Sequence, residues 1–90
     1  MITLKHLKIY KSYDGDVDSF ARCATKKELS IIKDSEWFFI DNLIQDLVLA
    51  EKGLVSEAYR DLVAYRVEQG CDNEQTVLEL KKLACERRDI

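Results

Sequence analysis

Three aspartates alternate with other residues at Asp14, Asp16 and Asp18, the spacing with which the first half of an EF-hand loop presents oxygen to calcium. That loop also needs glycine at its sixth position and a bidentate glutamate at its twelfth, and here those positions hold Ser19 and Thr25. The run therefore reads as an acidic turn in which Asp16 or Asp18 caps the following helix and suits its positive end. Zinc would have to be held by three dispersed cysteines, Cys23, Cys71 and Cys85, together with the one histidine, His6. No local Cys-x-x-Cys or His-x-x-x-His pair nucleates such a site, so no metal and no cofactor is expected.

Catalysis is equally short of parts. A single imidazole on the apolar stripe of a helix is expected to be a boundary histidine with one satisfied nitrogen, and having only one removes most templates that set an imidazole beside a nucleophile. Three isolated glycines, Gly15, Gly53 and Gly70, build neither a phosphate cradle nor a nucleophile elbow. No catalytic residue is expected. The cysteines, odd in number and without a secretory leader ahead of them, read as small apolar packers in a reducing, cytoplasmic setting.

Two other constellations carry more. Asp41 and Arg66 each lie at the apolar face of a helix, and in an antiparallel hairpin closing around Gly53 they come to nearly the same height. An Asp41–Arg66 ion pair is expected, as a device that sets helix register. The second constellation runs along one helix. Phe38, Asn42, Gln45 and Leu49 recur at steps of four, three and four, on the side opposite its main apolar face, with Asp46 beside them.

The elements that position these residues follow from periodicity and capping. The chain has 90 residues, no proline, 47% apolar and 34% charged residues and a net charge of −3, which excludes disordered, collagenous and membrane-spanning classes and disfavours sandwiches and barrels. Helices are expected at 3–13, 17–24, 26–33, 35–52, 57–69 and 73–88. Thr25 and Glu28 form a capping box, with a weaker one at Asp72 and Gln75; Ser56 is an N-cap, and Asp34 or Ser35 starts the long helix. Gly53 and Gly70 follow long periodic segments, where a left-handed residue closes a helix.

Trp37, Ile40, Leu43, Ile44, Leu47 and Val48 share a broad face of the helix at 35–52, making it the spine of the core. Ala58, Tyr59, Leu62, Val63 and Val67 form the packed face of the next helix, and Val77, Leu80, Leu83 and Ala84 that of the last. Short connections make these antiparallel neighbours, so the expected fold is all-α: a small helical bundle with a three-helix unit over about 35–88 and short N-terminal helices packed over it. Those short helices are the expected cover for the Phe38 stripe, and a partner chain is the alternative.

Charge divides unevenly. Residues 1–13 carry +3, from Lys5, Lys8 and Lys11, while 34–53 carry −4, five acids against Lys52. The basic stripe and a helix-turn-helix-like spacing around 70–72 suggest nucleic acid, but the would-be recognition helix opens on Asp72, Asn73, Glu74 and Gln75, which repel phosphate. The expected function is therefore protein–protein binding without catalysis. One concrete form is an inhibitor or immunity-type partner masking a basic protein, with Phe38, Asp46 and Leu49 at the contact and Asp46, Glu36 and Asp34 as its acidic edge. The alternative is a homo-oligomeric scaffold that pairs through Phe38, Asn42, Gln45 and Leu49.

Overall fold

The computed structural model describes residues 1–88. It contains α1 (Leu4–Ser12), α2 (Val17–Cys23), α3 (Lys26–Ile31), α4 (Asp34–Glu51), α5 (Glu57–Gly70) and α6 (Glu74–Arg88), each within two residues of its expected bounds. The described residues form an all-α bundle without a named strand, and none of their helices is long and apolar enough to cross a membrane.

Local chemistry sets most boundaries. Asp16 caps α2, accepting from Asp18 N–H and Ser19 N–H, so the aspartate run serves as a helix cap. The Thr25–Glu28 box opens α3, and Ser56 accepts from Tyr59 N–H at the start of α5. The long helix begins one residue earlier than expected. Glu36 reaches back to the Lys33 N–H at 2.9 Å, so Lys33 is the cap residue and Asp34 is already helical. At α6 the cap is Asn73, which accepts from Thr76 N–H at 3.1 Å, in place of the expected Asp72–Gln75 box.

The two helix-closing glycines have different reasons to exist. Gly53 has φ +68°, and its N–H and that of Leu54 return to the carbonyls of Ala50 and Leu49, a Schellman closure that needs a residue without a Cβ. Gly70 is not left-handed. It ends α5 where a Cβ would stand 2.8 Å from the ring of Phe39, so it serves close approach of α5 to α4.

α4 is the spine, packed against both α5 and α6. Gly70 against Phe39 makes α5 antiparallel to α4, and α6 returns parallel to it. The N-terminus is tied to the α5–α6 corner: Ile2 donates to the Gly70 carbonyl at 2.7 Å, and its own carbonyl accepts from Asp72 N–H at 2.9 Å. α1 thereby runs alongside α6. The core joins Trp37, Ile40, Leu43 and Ile44 to Tyr10, Phe20, Ile32, Val63, Val67, Leu80 and Leu83.

Where the N-terminal helices lie differs from expectation. They cover the Trp37 side of α4 and leave the Phe38 stripe open. The reason is an aromatic cluster: Phe20 stacks on Trp37 with centroids 4.5 Å apart, Tyr10 packs on it at 4.9 Å, and Tyr13 meets Phe20 edge-on at 5.5 Å. Such pairs add to area burial, and Trp37 is wholly buried by them. Nothing comparable is available on the Phe38 side. α5 also packs more narrowly than its sequence implies, burying Val63 and Val67 and leaving Ala58, Tyr59 and Leu62 exposed.

Candidate partner-binding face

Each α4 residue turns about 100° from the last, so the helix has an α1 flank, a core face, an α5 flank and an outward arc. Phe38, Asn42, Gln45 and Leu49 occupy that arc. The first three are exposed, Phe38 to 50%, and Leu49 is half-buried. Along the neighbouring edge of α5, Tyr59 and Leu62 are exposed, Leu62 to 49%, with Tyr65 further round the same helix. Together they form an apolar and aromatic face two helices wide.

The seam between the two helices is polar and closed. Arg66 Nη1 lies 2.9 Å from Asp46 Oδ2, and the Tyr59 hydroxyl donates to Asp46 Oδ1 at 3.2 Å. The expected Asp41–Arg66 pair is therefore not formed. Asp41 and Asp46 differ by five helical steps, which places Asp46 on the α5 flank and Asp41 on the α1 flank, where its carboxylate accepts from the Tyr10 hydroxyl. Matching height along a hairpin is not matching flank.

This geometry changes the electrostatics of the face. Of the three residues expected as an acidic edge, Asp46 is held by Arg66 and Tyr59, and Glu36 is held by the Lys33 N–H and by His6, whose Nε2 is 3.0 Å away. Asp34 stays exposed. What the face exposes is mainly apolar and amide side chains, with charge at the margin. Sequence reasoning assigned Tyr59 and Leu62 to the core and passed over Tyr65. The signal that places them outside is the spacing of Tyr59, Leu62, Arg66 and Gln69, a second stripe beside Val63 and Val67.

Elsewhere several ionisable groups make contacts within the fold. His6 Nδ1 accepts from Thr3 N–H at 2.9 Å, which fixes the proton on Nε2 and directs it to Glu36; both ring nitrogens are engaged. Burial foremost, and then the Asp41 carboxylate, push the Tyr10 phenol far above its ordinary range. Burial also raises the Cys71 thiol, assisted by Asp72. Cys23 and Cys85 are exposed, so only one cysteine is the apolar packer expected of all three. Among the described residues no group of three His, Cys, Asp or Glu side chains is placed to hold a metal ion. Lys5, Lys8 and Lys11 are exposed on α1, with Lys11 3.8 Å from Glu86.

No family model, no curated protein and no solved structure matches this chain.

Proposed function

We propose that this protein works without catalysis, by binding another protein chain through the face formed by α4 and α5. The observation that carries this reading is the side-by-side exposure of Phe38 on α4 with Tyr59 and Leu62 on α5, next to the half-buried Leu49. Each half-exposed large side chain forgoes roughly 1 kcal/mol of burial, and three on one face mark a surface that another surface covers. Aromatic residues beside an arginine are also the composition of binding hot spots. The stripe from Phe38 to Leu49 is about 17 Å long, a length suited to a helix laid alongside it.

Absence of catalysis is supported by the use of the only imidazole as a helix-cap bridge. A reducing cytoplasmic location is supported by three free thiols. The narrower form, an inhibitor masking a basic protein, draws on the net charge of −3 and on exposed Asp34, Glu57, Asp61 and Glu68. That form requires association to slow as salt rises.

The test is affinity capture from the source organism's lysate with the wild-type chain, each captured protein then titrated against purified Phe38→Asp, Leu62→Asp and, as a control on α6, Leu78→Asp. The reading requires at least a tenfold loss of affinity for the first two and less than twofold for the third. Binding indifferent to both Phe38→Asp and Leu62→Asp overturns it.

A further inference from the structure

The stripe on α4 has a symmetry that its residue types make chemical. Phe38 and Leu49 are equidistant from the midpoint between residues 43 and 44, and so are Asn42 and Gln45. Two helices packed antiparallel about a two-fold axis at that midpoint would place Phe38 of one against Leu49 of the other, and Asn42 against Gln45. Each contact occurs twice. The ends agree in charge: Asp34 and Lys52 are both exposed, lie five turns apart on one flank of the stripe, and are equidistant from the midpoint to within one residue. Like flanks face each other across an antiparallel two-fold pair, so Asp34 meets Lys52 at both ends.

We infer that the partner this face fits is a second copy of the same chain, docked α4 against α4, antiparallel, at the shallow crossing angle of helical bundles. The inference rests on the α4–α5 face being a protein-binding face and names its occupant. The amides argue for self-pairing over a wholly apolar partner. Asn42 and Gln45 sit mid-stripe, each with donors and an acceptor, and against hydrocarbon they would lose water without replacement. Opposite one another they exchange hydrogen bonds. α5 widens the contact, because Tyr59 and Leu62 project on the same side as the stripe, next to the Arg66–Asp46 pair.

The area sets the strength. An 18-residue helix is about 27 Å long, and a face two helices wide gives roughly 500 Å² per copy, so about 1,000 Å² in all. That is the lower limit for a specific interface, and the dimer is expected to dissociate in the micromolar range.

Sedimentation equilibrium of the full chain from about 1 μM to 1 mM tests this at low salt, with the mass expected to climb from 10.5 kDa toward twice that value. Phe38→Asp, at an exposed position, keeps the helical circular-dichroism spectrum and weakens the dimer at least tenfold. Asp34→Lys and Lys52→Asp each weaken it at least threefold, and the two combined in one chain restore it to within twofold of wild type. A wild-type chain that stays at 10.5 kDa up to 1 mM overturns self-pairing, as does a dimer insensitive to Phe38→Asp; a combined variant no tighter than the single ones overturns the antiparallel register. A monomeric wild type leaves the broader reading standing, which falls only on its own capture experiment.

Discussion

His6 and Glu36 join the starts of two helices: the imidazole Nε2 stands 3.0 Å from the Glu36 carboxylate, while its Nδ1 accepts from Thr3 N–H. Thr3 caps α1, and Glu36 accepts from Lys33 N–H at the head of α4. One ring thus ties both N-termini together.

His6→Ala removes both hydrogen bonds from a buried position and is expected to cost about 2 kcal/mol of stability. Urea unfolding measures it. A double-mutant cycle with Glu36→Gln should give a coupling of at least about 0.5 kcal/mol. Additive costs would show that the two caps act independently.

Tyr10→Phe deletes the donor to Asp41 and leaves a half-buried carboxylate without that partner, so a loss of about 1–3 kcal/mol is expected. The phenol's folded pKa lies above its unfolded value, because burial and then Asp41 favour the neutral form. Its stabilising contribution is complete below about pH 10 and is lost only as pH rises beyond that. In an ultraviolet titration Tyr10 should ionise together with unfolding. A full tyrosinate signal near pH 10 from a still-folded chain would contradict this.

Acid should weaken α2 and α3 first. The Ser19 hydroxyl and N–H, followed by the Asp18 N–H, hold Asp16 below the ordinary carboxylate range, and the Thr25 N–H followed by the Tyr13 hydroxyl does the same for Glu28. Depressed folded pKa values mean stability that is present above about pH 4 and lost as pH falls through the folded values. Urea midpoints at pH 5 and pH 3 measure the slope. Asp16→Asn with Glu28→Gln keeps capping groups without titration, and that variant should show a flatter acid limb than wild type.

Gly53→Ala places a Cβ at φ +68° in open space, so its expected cost of about 1 kcal/mol is purely backbone strain. Gly70→Ala meets the Phe39 ring instead. Its cost should shrink in a Phe39→Leu background, whereas that of Gly53→Ala should not. Thermal melts of both glycine variants, alone and in the Phe39→Leu background, with Phe39→Leu itself as the second parent, separate the two causes.

Helix positions, most caps and the spine face of α4 were legible in the residues alone, because a 3.6-residue period and an N-cap are local properties. The Thr25–Glu28 box, Ser56 and Gly53 act within one turn of chain and behave as their types imply. Flank and cover are not local. Whether Arg66 reaches Asp41 or Asp46 depends on which side of α4 the second helix lies, and that follows from Gly70 admitting the ring of Phe39. Whether the short helices cover Phe38 depends on the aromatic cluster around Trp37, assembled from residues 10 to 37, which draws them to the other side. The sequence by itself determined which segments are helical and which residues are candidates to be buried. Only the tertiary packing decided that the second stripe of α4, from Phe38 to Leu49, is left facing outward, since its helical period is the same whether or not a short helix covers it.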